Sequence, residues 1–218
     1  MLLSSRPLLS FLPFLLVLLV TSPTTATLDA VRIIQQIAPQ SISCPPSNSD
    51  CRTARQAAPF IAHSLAHYRI YKPNLMAAVL ALMAFESVDF QYKHNVSPGR
   101  PGQGTANMQM PNYNLLYAQQ IPALRDKATR LCPSSTVEGQ SPQTLNAILA
   151  LVTPDEYNFG SGPWFLMTQC DPEVREALAK DADRGFGLYM KCVGVEVTEE
   201  RRAYWQRAKE AFGVCASS

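Results

Sequence analysis

Leu75-Met76-Ala77-Ala78-Val79-Leu80-Ala81-Leu82-Met83-Ala84-Phe85 runs without a polar side chain and is followed at once by Glu86-Ser87. Ala, Leu and Met are strong helix formers. A helix that is apolar on every face is a buried one. The stretch therefore predicts the central helix of the domain. Pro73 punctuates the chain just before it, and Asn74 is placed to cap it. Glu86 is the first charge this helix meets as it surfaces. Apolar neighbours disfavour a charged carboxylate, so an acid placed there keeps its proton to higher pH, as a general acid must.

The sequence on either side also reads as helix. Leu28, Val31, Ile34 and Ile37 recur every three residues and predict a short amphipathic helix. Residues 39–50 are rich in Ser and Pro and read as a loop. Residues 53–71 predict a longer helix with Phe60, Ile61 and Leu65 inward, and with Pro59 marking a late start or a kink. Pro98, Pro101 and several glycines make residues 90–104 a loop. Pro111 opens a helix through Tyr113, Leu116, Tyr117 and Gln120; Pro122 interrupts it, and a second piece runs to Leu131. Ser141 and Pro142 start the apolar helix at 145–152. Pro163 opens the segment 164–169, and Asp171-Pro172-Glu173 starts another helix. Thr198 with Glu199 and Glu200 starts the last helix, which Gly213 ends. No stretch alternates with a period of two. The fold class is therefore all-α, mainly helical, in one domain.

Arg6 precedes an apolar run from Leu8 to Val20, and Thr24-Thr25-Ala26 fits a small-residue cleavage site. Residues 1–26 read as a secretory signal peptide and 27–218 as the mature domain. The run is shorter than the ~20 apolar residues of a spanning helix, so a secreted, extracellular protein free of the membrane is expected. The remaining length of about 190 residues suits one hydrophobic core. The formal net charge is +2, and no Lys/Arg run is present, which excludes nucleic acid as an expected partner. All of the 6 cysteines lie beyond the leader. An even number in an exported chain predicts three disulfides. Cys44 and Cys51 bracket a short loop and are expected to pair. Cys132, Cys170, Cys192 and Cys215 leave three pairings open.

Two further signals follow Glu86-Ser87 in order. One is a Gly-rich loop from Ser97 that ends in Met108-Gln109-Met110-Pro111; the other is Tyr157-Asn158-Phe159-Gly160. Glycines let backbone approach a ligand, and the Gln109 amide both donates and accepts hydrogen bonds. Together the three signals resemble the lysozyme-like superfamily, in particular soluble lytic transglycosylases and goose-type lysozymes. The likeness spans roughly residues 75–162. Ser97, Gly104, Met108 and Gln109 match the family loop, while Ala106 and Asn107 stand where Gly and Leu are usual.

The resemblance implies a lysozyme-like, disulfide-bonded fold and cleavage of β-1,4 bonds in an N-acetylated polysaccharide. Peptidoglycan is the first expected substrate and a chitin-type polymer the second. Glu86 would be the catalytic acid and base. Ser97, Met108, Gln109, Tyr157 and Asn158 would bind the sugar. Attack by the substrate's own hydroxyl would make the enzyme a transglycosylase, and attack by water a hydrolase. Asp89, Asp155 and Glu156 are candidates for a second carboxylate. No cofactor is implied, and a monomer is expected. The competing reading is a secreted lysozyme-like protein that binds glycan or protein without cutting.

Other residues have plainer readings. His63 and His67 share a helix face but lack the Glu of a zinc-protease motif; even with His94, no metal site is expected. Trp164, Trp205 and Tyr204 are read as core aromatics before they are read as a cleft. Asn95-Val96-Ser97 is a glycosylation sequon followed directly by Pro98. Asn95 is expected to stay largely unmodified, and intact-mass analysis of material secreted by a eukaryotic host checks this.

Overall fold

The computed structural model describes residues 23–214, with side chains from Ala30 onward. Residues 1–22 of the expected 1–26 leader, and Cys215, lie outside these residues; residues 23–26 form the start of the first helix. Among the described residues the chain is all-α, with no strand. Helix α1 is Pro23–Ile37, followed by a 3-10 turn at Pro39–Ile42 and by α2, Ala54–His67. The central α3 is Pro73–Glu86. Helices α4 (Pro111–Gln120), α5 (Pro122–Leu131) and α6 (Pro142–Val152) come next. They are followed by short α7 (Asp155–Asn158), α8 (Ser161–Thr168), α9 (Pro172–Lys180), α10 (Ala182–Val193) and α11 (Glu199–Phe212).

Helix α3 is the axis of the core. Every side chain from Ala77 to Ala84 is 2% exposed or less. Helix α11 lies along it most extensively, and α1, α8, α9 and α10 also pack on it. Helix α8 comes especially close, because a Cβ on Gly162 would lie 2.7 Å from the Met83 sulfur. Helices α4, α5 and α6 form a second group that packs on itself.

Several boundaries follow the sequence signals. Thr53 caps α2 in a reciprocal box with Gln56. Ser141 caps α6, and Gly213 ends α11 in the left-handed region. Pro59 sits inside α2 and does not delay its start. Asn74 is not the cap of α3. That helix begins one residue earlier, at Pro73, and the Asn74 amide instead donates to the Leu178 carbonyl at 2.9 Å. The Asp171 side chain makes no capping bond either. Asp181 ends α9 and caps α10, accepting from the Arg184 amide at 3.1 Å. That sharp corner needs Gly185, where a Cβ would lie 2.3 Å from the Leu178 backbone.

Disulfides join Cys44 to Cys51, as expected, and Cys170 to Cys192, which ties the start of α9 to α10. Cys132 is buried without a disulfide; the third expected bridge would need Cys215, outside the described residues. Trp205 is core, stacked on Phe186 with centroids 4.5 Å apart.

Leu82 is 1% exposed in the middle of α3. Leu82→Ala should destabilise the fold by about 2–5 kcal/mol, read from the shift of the denaturant midpoint in chemical unfolding.

Candidate functional site

Glu86 ends α3 as expected, but its carboxylate is engaged. Arg201 of α11 donates to its Oε1 at 2.9 Å, and the Glu86 side chain is only 17% exposed. Burial raises the Glu86 pKa above that of a free glutamate, and the Arg201 hydrogen bond and charge oppose the rise. The Arg201 guanidinium lies 4.5 Å over the Phe85 ring. The buried Tyr189 phenol is pushed well up, first by burial and then by the Glu86 charge.

The chain leaves α3 through three consecutive residues at positive φ: Val88 (52°), Asp89 (57°) and Phe90 (66°). Each is an unfavourable conformation for a side-chain-bearing residue, so local bonds must hold the turn. Ser87 Oγ donates to the Met83 carbonyl at 2.6 Å and accepts from the Phe90 amide at 3.0 Å. The buried Asp89 carboxylate accepts from the Gln40 amide at 2.8 Å and from the Tyr204 hydroxyl at 2.6 Å. Asp89 thus has a structural task. So has Asp155: burial raises its pKa, but Arg52 and Lys93 outweigh that and hold it low.

The other expected site residues separate. Gln109 is 5% exposed and its amide donates to Asn114 Oδ1 in the first turn of α4 at 2.9 Å. Met108, at φ 44°, gives its carbonyl to the Gln103 amide. Ser97 is exposed on the loop surface. Asn158 is buried in the core, while its neighbour Tyr157 is half-exposed.

Tyr157 faces a cavity of about 480 Å³ between α2, α4, α7 and α8. Its walls include His63, His67, Tyr68, Tyr117 and Trp164. Glu86, Ser97, Met108 and Gln109 do not line it. Tyr117 donates to the Tyr157 carbonyl at 3.0 Å; a Cβ on Gly160 would lie 2.3 Å from that phenol oxygen, so only glycine admits the contact. Trp164 Nε1 donates to Gln120 Oε1 at 2.7 Å and fixes that amide at the rim. Burial raises the pKa of Tyr68 and Tyr117, and the hydrogen bond to Glu156 raises that of Tyr157, so the phenols stay neutral.

A second cavity, of about 430 Å³, lies between Arg52, Lys93, His94 and Asn146. Its charges are already paired, Arg52 and Lys93 with Asp155 and His94 with Asp50 at 2.6 Å.

No family description and no solved structure matches the chain. One match is a stretch of a much longer oxidising enzyme. It is named a bifunctional dioxygenase (DOX)-epoxy alcohol synthase (EAS), from Fusarium oxysporum (strain Fo5176), and is 59% identical over 160 residues. The match covers 73% of this chain and 12% of that protein, so the chain spans about an eighth of its length.

This finding overturns the glycan-cleaving reading. The relative is named for oxidation and epoxy alcohol formation, so the expected glycosidase, its polysaccharide partner and the glycan-binding alternative are withdrawn. Among the described residues no group of three or more His, Cys, Asp or Glu could hold a metal ion.

The Glu86–Arg201 pair makes a signed prediction. A folded-state pKa above the unfolded value means the fold holds a proton that the unfolded chain releases. This contribution is full at low pH. It is lost as pH rises from the ordinary glutamate value through the raised one. Glu86→Gln should remove that component and flatten the profile of melting temperature against pH over this window. Arg201→Met removes the opposing hydrogen bond and charge and should steepen it, while costing about 1.5–3 kcal/mol near neutral pH.

Proposed function

We propose that this chain is a helical small-molecule-binding module of the kind that can be carried on a longer oxidising enzyme. The cavity at Tyr157 is the observation that carries this reading. Its volume of about 480 Å³ lies within the range of ~300–1,000 Å³ typical of ligand pockets. Its lining is aromatic, with a few oriented polar groups, which is the make-up of such pockets. The identity to the Fusarium protein supports a module carried alongside other activities, because the shared stretch is 12% of that chain. We also propose that the chain is exported, on the strength of its apolar N-terminal run and its disulfides. The lysozyme-like resemblance we keep as a proposal about fold ancestry alone, supported by the order of the three signals along the chain.

Amide chemical-shift mapping tests the site. The ligands are a panel of small amines, acids, neutral alcohols and an epoxy alcohol. Binders should shift Tyr68, Tyr157, Gly160 and Thr168. Thr168 is exposed at the mouth; Thr168→Trp should fill the mouth and abolish those shifts while leaving the fold intact. A panel that leaves these amides unmoved, or moves others, rejects the reading.

A further inference from the structure

We infer that the cavity at Tyr157 selects an organic ammonium ion, a quaternary or alkylated amine. This rests on the reading of that cavity as a ligand site and adds the class of ligand. Tyr68, Tyr117, Tyr157 and Trp164 bring four electron-rich rings to one cavity. Tyr68 and Tyr157 are half-exposed and offer ring surface to an occupant, while Tyr117 and Trp164 form the buried base with centroids 4.9 Å apart. Ring faces attract cations through their quadrupole, and aromatic cages are a recurring solution for quaternary ammonium groups.

The charge of the lining agrees. Glu156 is the one acid among the residues that line the cavity, and no Lys or Arg lines it. Glu156 is exposed at the mouth and is the chain neighbour of Tyr157, whose phenol feels its charge. The phenols are held neutral, so the rings bring no negative charge of their own. An anion would meet Glu156 with no Lys or Arg to offset it. A neutral ligand of the same shape would gain the apolar contact but neither the ring quadrupoles nor the carboxylate. A cation gains all three.

Choline and its neutral carbon isostere, 3,3-dimethylbutan-1-ol, separate these terms. They have the same shape and differ in charge. In titrations of the intact protein followed by amide shifts, choline should bind at least about five-fold more tightly. Glu156→Gln should weaken choline several-fold and leave the isostere unchanged. Tyr157→Leu should weaken choline, and Tyr157→Phe, which keeps the ring, should bind it nearly as wild type. A circular dichroism melt confirms that each variant is folded. Equal affinity for choline and the isostere overturns ammonium selection and leaves the ligand-site reading standing. Choline binding that Glu156→Gln does not change also overturns it. Failure of both compounds to move the cavity amides overturns the selection, and the panel above then decides whether the site itself survives.

Discussion

A helix with no polar face must be surrounded. That constraint on α3 organises the molecule. Eight consecutive buried residues, Ala77 to Ala84, cannot meet water on any side, so α1, α8, α9, α10 and α11 are gathered around them. Small residues make the gathering tight. The alanines of α3, together with Gly162 in α8, let helices approach to van der Waals distance. The end of α3 is the difficult place. There the first charge appears, and the chain turns through three left-handed residues. Helix α11 answers with Arg201 for Glu86 and Tyr204 for Asp89. The same helix that covers the apolar face also satisfies the polar end.

This arrangement explains why Glu86 reads one way in sequence and another in space. An acid at the end of a buried helix carries a raised pKa whether it serves a reaction or a packing interface. The sequence shows the burial. It does not show Arg201, 115 residues further on. Gln109 is a similar case. Its amide was free to be read as a ligand-binding group, but the loop folds back and uses it on Asn114 five residues later.

Much of the fold was legible because it rests on local rules. The apolar run of α3, the Thr53 and Ser141 caps, the proline starts of α4, α5 and α6, and the Gly213 stop are all written in short windows. The corner at Asp181 was missed because one polar residue both ends α9 and caps α10, with no proline to mark it. Of the residues around the cavity, the sequence singled out Tyr157, but for a sugar-binding role that has been withdrawn. His63, His67, Tyr68, Tyr117, Gln120 and Trp164 were not assembled, because they come from α2, α4 and α8 and meet only in the tertiary structure. The helical spacing of His63, His67 and Tyr68 was a usable signal for one wall.

The central claim is that function resides in the aromatic cavity and that the end of α3 is structural. Amide hydrogen exchange of the intact chain, with and without choline, tests this directly, because binding raises protection where it stabilises local structure. The account predicts slower exchange in the C-terminal turn of α2 and through α7 and α8, with residues 86–90 and the first turn of α11 unchanged. Protection that appears around Glu86 and Arg201, and not around Tyr157, would contradict it.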